Sequence, residues 1–257
     1  NLFISNTILV SILSILFLGF SLKGVNHVVQ LGENIQTKVS IAQTGDVVII
    51  RGGTYPEQTI SGSNAIRLVR EKGTTVTIGG SLSFSDVNES MVLRDFAVDI
   101  NGNGQLSLTN CSQFGLQDLD KFPQGISLSG STVVIRDCNF SGNLSVSAAS
   151  AVEMINSHCQ NLTVNGSAFH AENSTFSAFT STGDSNVTLV DSNFTTGNFT
   201  GGKTFLRNSE ASAAVVFAQC DWQAHGSTFQ TNLTSNQSHS NLFRSTVKKA
   251  FHHGHAS

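Results

Sequence analysis

One short motif recurs along most of this chain, and it constrains the fold more than any other feature. The unit reads apolar-x-apolar-x-(Asp/Asn)-(Ser/Cys)-x-Phe. Its clearest copies are VIRDCNF (134–140), VEMINSHC (152–159), FHAENSTF (169–176), VTLVDSNF (187–194) and WQAHGSTF (222–229). Weaker copies are MVLRDF (91–96), FGLQDL (114–119), TFLRNS (204–209) and NLFRST (241–246). The turn position is held in order by Asp95, Asp118, Asp137, Asn156, Asn173, Asp191, Asn208, Gly226 and Ser245. Successive intervals are 23, 19, 19, 17, 18, 17, 18 and 19 residues. A period this steady is the mark of a repeat architecture.

The alternation inside each copy says what the repeat builds. Two residues before the turn stand Leu93, Leu116, Ile135, Met154, Ala171, Leu189, Leu206, Ala224 and Phe243. Four before it stand Met91, Phe114, Val133, Val152, Phe169, Val187, Thr204, Trp222 and Asn241. A period of two puts both columns on one face of a strand. Three residues after the turn, Phe140, Phe176, Phe194 and Phe229 form a further column. One copy cannot bury these faces alone, but copies stacked ~4.8 Å apart bury them as continuous ladders. The expectation is an all-β, single-domain parallel β-helix. Right-handed crossovers between parallel strands favour the right-handed form.

The flanks complete the organisation. Ile8–Phe20 is uncharged and too short to span a bilayer, which needs about 20 apolar residues. It reads as the core of a secretory signal peptide covering 1–21, with cleavage after Ser21 and the true start missing. Ile35, Val39 and Ala42 have helical spacing behind a candidate N-cap, Asn34, so 22–45 is an N-terminal segment with a short capping helix. The β-helix then runs 46–250, beginning with the buried strand Val47–Ile50, and 251–257 is a tail. The last coil, at 241–247, is followed by ten residues, which predicts an uncapped end that self-associates or a truncated sequence.

Composition excludes several classes. Of 257 residues, 80 are Asn, Ser or Thr, 12% are charged and the formal net charge is −3. A nucleic-acid binder needs a basic stripe, which is missing. A long coiled coil needs charged flanks. A mean hydropathy of +0.03 leaves enough apolar surface for an ordered core. Cys111, Cys138, Cys159 and Cys220 match no metal-binding spacing and read as free, partly buried thiols.

The cap helix, the GDVVIIRGGTYPEQ segment and the Asn/Asp-Ser-x-Phe turns resemble the right-handed parallel β-helix proteins of the pectin-lyase-like superfamily, over roughly residues 34 to 250. That superfamily includes polysaccharide lyases, glycoside hydrolases, tailspikes and adhesins, so the resemblance carries a fold without choosing an activity.

Three clusters could carry chemistry. Asp95, Asp118 and Asp137 head consecutive coils, where stacked carboxylates repel by about 1–3 kcal/mol. Arg94 and Arg136 or a bound Ca²⁺ would offset that repulsion. The resemblance implies a lyase cleft here, with Asp95, Asp118 and Asp137 as metal ligands, Arg94, Lys121 and Arg136 as catalytic bases, and Asp99 and Asp120 nearby. The structural alternative is a turn ladder in which Asp replaces Asn. Glu153, His170 and Glu172 form a second polar cluster fit for acid–base work or for a solvated sheet face. His252, His253 and His255 form a third, terminal and without acidic partners. Twelve Asn-x-Ser/Thr sequons are compatible with glycosylation and are also a product of the repeat. Trp222 and Tyr55, the residue types favoured as sugar platforms, sit in an inward column and in the cap turn, and Phe falls largely on inward positions, so the aromatic pattern tells against tight sugar binding along a long groove.

The functional expectation is a secreted or cell-surface solenoid with a non-enzymatic adhesive, structural or carbohydrate-surface-interacting role. The alternative is a Ca²⁺-dependent lyase, or a hydrolase, acting on an acidic polysaccharide. Expected partners are an extracellular polysaccharide or cell-surface component, with no nucleic acid and no membrane span in the mature chain.

Overall fold

A computed structural model describes residues 24–62, 64–94, 98–100, 104–119 and 125–254, with side chains omitted for 98–100. The proposed signal peptide therefore lies outside the described residues. The fold is a single parallel β-solenoid of right-handed type with about 12 turns. A 12-stranded sheet runs from Asn26–Val29 to His239–Phe243. A 14-stranded sheet forms the second wall, and a three-stranded sheet of Gly53–Tyr55, Val76–Ile78 and Val98–Ile100 adds a third beside the early coils. Every strand pair is parallel, and sheet neighbours come from successive coils.

The predicted columns are the core. Phe114 pairs with Met91 and Val133, and the register continues through Val152, Phe169, Val187, Thr204 and Trp222. All eight are buried. The column after the turn runs Phe140, Cys159, Phe176, Phe194, Ala211, Phe229, Val247, so small residues fill the coils where Phe is missing. Fully burying a Phe contributes about 1.5–3 kcal/mol. The rings also meet edge-on or stacked, as in Phe199–Phe217 at 4.9 Å and Phe217–Trp222 at 4.3 Å. The Trp222 indole N–H donates to Ser235 Oγ at 3.1 Å, so its polar atom is satisfied inside the rod.

The turn column explains the Asp/Asn preference. Asp118, Asp137, Asn156, Asn173, Asp191 and Asn208 all have φ between 48° and 54°, a left-handed conformation that short polar side chains tolerate. Each donates its main-chain N–H to the next coil, for example Asp137 to the Ile155 carbonyl at 3.2 Å. In the last coil the sequence expectation slips by one residue. His225 pairs with Phe243, so Arg244 (φ 50°), and not Ser245, follows Gly226 in the turn column. The inward residues there are Ser240 and Leu242, and Phe243 faces outward. The interval is 18, not 19, and a one-residue slip moves every side chain to the opposite face.

At the N-terminal end, helix α1 (Ile35–Ile41) forms where expected. Asn34 is its N-cap, accepting from the Gln36 N–H at 2.7 Å, and Ile35 and Val39 are buried. The helix packs against strands Asn26–Val29 and Gln58–Ser61. The Asp46 carboxylate ties down the first coil, accepting from the Val25 N–H at 2.7 Å, the Gln43 N–H at 2.8 Å and His27 Nε2 at 2.8 Å. Among the described residues, no helix is long and apolar enough to cross a membrane.

Candidate functional site

The Asp/Arg cluster occupies the turn between the two large sheets. Arg94 Nε lies 3.1 Å from Asp118 Oδ2 in the next coil, with both side chains partly exposed. Asp137, one coil further, accepts from the Asn156 side-chain amide at 3.3 Å. Arg136 holds the outward sheet position level with Gln117 and Ile155. Asp95, Asp120 and Lys121 lie outside the described residues, as does the side chain of Asp99. The structure thus brings Arg94 and Asp118 together and hands Asp137 to the Asn ladder. Among the described residues, no group of three His, Cys, Asp or Glu side chains is placed to hold a metal ion. Asp118 and Asp137 would need further oxygen donors to take Ca²⁺.

Glu153 and His170 pair in adjacent strands, as their positions in the repeat imply, and Glu172 follows two residues along. Burial lowers the His170 pKa, partly opposed by the Glu172 carboxylate. A lowered pKa makes the imidazole a weaker base, which works against a proton-accepting role at this position. His252 and His253 sit on the terminal strand Phe251–Gly254, and His255 lies outside the described residues.

The four cysteines are free and buried. Burial pushes the Cys138 and Cys159 thiols up to about 12. Nucleophilic catalysis by either would need a thiolate that this interior does not stabilise.

A further unassigned surface lies on the outer face of the last three strands of the 12-stranded sheet: Lys203–Arg207, Asp221–His225 and His239–Phe243. Parallel register makes it a grid. Lys203, Asp221 and His239 form one column, Phe205, Gln223 and Asn241 the next, and Arg207, His225 and Phe243 the third. His239 Nδ1 lies 3.1 Å from Asp221 Oδ1. The Phe243 and His225 rings stack at 4.8 Å, and the Arg244 guanidinium lies 5.2 Å from the Phe243 centroid. An open groove of about 480 Å³ runs between the first two columns. A second, of about 320 Å³, runs between the second and third. The sequence reading missed this face because it turned Phe243 inward. Holding the interval from Gly226 at 18 would have found it.

No protein-family model matches the chain, and no curated protein matches it either.

Proposed function

We propose that this protein is a non-enzymatic solenoid, secreted or displayed at a cell surface, that acts as an adhesive or structural element in contact with carbohydrate. The observation that carries this reading is the outer grid at Lys203–Phe243. It combines exposed rings, side-chain amides and charges along open grooves on a rigid wall, which is the chemistry of a saccharide contact. The engagement of Asp118 and Asp137 in turn contacts supports a structural role for the Asp column. The experiment is incubation of the full chain with insoluble and soluble polysaccharides, with and without Ca²⁺. Retention without any unsaturated or reducing-end product is expected. Ca²⁺-dependent product formation would overturn the reading.

A second reading, a polysaccharide lyase or hydrolase using Arg94, Lys121 and Arg136 with Ca²⁺ at Asp95, Asp118 and Asp137, draws support from the Arg94–Asp118 approach in adjacent coils. Under it, Arg94→Ala and Arg136→Ala would each abolish product formation. Unchanged product formation would remove both from the chemistry.

A further inference from the structure

We infer that the outer face of the 14-stranded sheet binds ice, because two parallel columns of side-chain hydroxyls form a regular, uncharged array that can seat an ordered lattice of water. The inference goes beyond the carbohydrate-contact reading and uses a different wall of the solenoid.

The strands write the array. TIS (59–61), SFS (83–85), SLT (107–109), SLS (127–129), SVS (145–147) and TST (180–182) each set one residue between two hydroxyls. The middle residue of each is buried and the flanking pair faces out. Register runs residue for residue: Ser127 pairs with Ser145 and Ser145 with Thr163, and the column is Thr or Ser in every coil from Thr59 to Thr180. Over the ten coils from Thr59 to Thr234 the two columns hold 15 Ser or Thr in 20 positions, the exceptions being Asn165, Asn198, Val216, Ala218 and Asn236. Ser and Thr make up 58 of the chain's 257 residues, a share that would give about 4.5 in 20, so the enrichment belongs to this face.

Neither solubility nor strand formation asks for this pattern. None of the 20 positions is charged. Charges go instead to the outer face of the 12-stranded sheet, at Arg67, Arg94, Arg136, Glu153, Glu172 and Arg207. Ser is not among the residues that strands favour. Among the described residues, the Ser127, Ser129, Ser145, Thr163 and Thr180 hydroxyls make no hydrogen bond to the protein, so their donor and acceptor sites are left to water.

Spacing selects the ligand. Parallel strands lie ~4.8 Å apart, and two steps along a strand cover ~6.6 Å. Water oxygens hydrogen-bonded at ~2.75 Å in tetrahedral directions lie about 4.5 Å from their second neighbours, and the same net repeats about every 7.3 Å along its axis. The array thus follows the lattice to about a tenth in both directions, and over three or four coils the offset along a column stays within ~1 Å. Rotation of the Ser and Thr side chains closes gaps of that size. Each hydroxyl both donates and accepts, as every lattice water does, and the face carries no charge to disrupt a neutral net. The backbone ladder fixes the columns before the ligand arrives, so little ordering remains to be done on binding.

The test is partition of the full chain into slowly grown ice, with serum albumin as the non-binding control, alongside the rate of recrystallisation in frozen solution. Enrichment in the ice at least tenfold above albumin, with slowed recrystallisation, is expected. Ser145→Lys and Thr163→Lys should each lower that enrichment at least tenfold with an unchanged melting temperature. Ser145→Thr, which keeps the hydroxyl, and Thr188→Lys, on the outer face of the 12-stranded sheet, should leave it intact. Partition no greater than that of albumin would overturn the inference and leave the carbohydrate reading untouched. Ice binding that survives both substitutions in the array, or that falls equally in Thr188→Lys, would overturn the array as the site. A dimer in sedimentation that Thr163→Lys abolishes, without ice partition, would overturn it in favour of a contact between copies of the chain.

Discussion

The main-chain N–H of Ser174 donates to the hydroxyl of Ser192, one coil further on, at 3.1 Å, and both residues are fully buried. The contact is one rung of a ladder at the Asp/Asn turn. Cys138, Ser157, Ser174, Ser192, Ser209 and Ser227 each donate in the same way to the next hydroxyl, ending at Ser245. The Ser192 hydroxyl in turn donates to the Val190 carbonyl at 2.8 Å. Removing it leaves a buried N–H with no acceptor, which costs about 1–3 kcal/mol. Ser192→Ala is expected to lower stability by that amount in chemical denaturation. An unchanged midpoint would show that the ladder does not hold the coils.

Thr204 presents the opposite case. It sits in the inward column between Val187 and Trp222, 3% exposed, and its hydroxyl has no partner. Val has nearly the same shape without the polar atom, and an unmet buried hydroxyl costs about 1–3 kcal/mol. Thr204→Val is expected to raise stability by about 1 kcal/mol, read as a higher denaturation midpoint at constant slope. A loss of stability would mean the hydroxyl is satisfied.

These two positions also show how far the sequence was legible. The columns could be read because burial makes a two-residue alternation visible, and stacking makes it recur at every coil. Thr204 and Ala224 did not obscure the pattern, because their neighbours above and below remained apolar. Legibility failed at the last coil. There Asn241-Leu242-Phe243 allows either register, and the turn residue is Arg244, not the usual Asp or Asn. The grid was hidden for that reason: its residues are ordinary outward side chains, and only the correct register collects them onto one face. For Asp118 the residue type was informative and its role was not. The same left-handed turn accepts Asp as a ligand, as an ion-pair partner of Arg94 or as a stand-in for Asn.

Asp46 gives the N-terminal coil an acid limit. The Gln43 N–H, then the His27 ring and the Val25 N–H, hold its carboxyl below the usual carboxylate range. A depressed carboxylate contributes stability that is present above its unfolded-state pKa, about 3.9, and is lost as pH falls through the lower folded-state value. Amide-exchange protection of the first strand, Asn26–Val29, is expected to be level near neutrality and to fall on acidification below about pH 4. In Asp46→Asn that strand should be less protected at neutral pH and should lack the acid limb. Parallel pH profiles for the two proteins would rule out the carboxylate as the clamp.

Two glycines separate backbone conformation from close packing. Gly166 has φ +55° and nothing within 4 Å of where a Cβ would stand. Gly202 has φ +68°, and a Cβ there would lie 2.1 Å from the Ser185 carbonyl oxygen. That carbonyl accepts the Lys203 N–H at 2.8 Å, so it cannot retreat without breaking the contact between coils. Gly166→Ala should therefore carry only the left-handed penalty, about 1–2 kcal/mol. Gly202→Ala carries the same penalty plus displacement of the coil beneath, and is expected to cost more than Gly166→Ala in paired thermal denaturation. It should also reduce amide-exchange protection at Lys203 and Asp221, the N-terminal edge of the grid, while Gly166→Ala leaves both unchanged. Equal losses in the two variants would mean that φ alone sets the cost and that the coils at Gly202 have room to move apart.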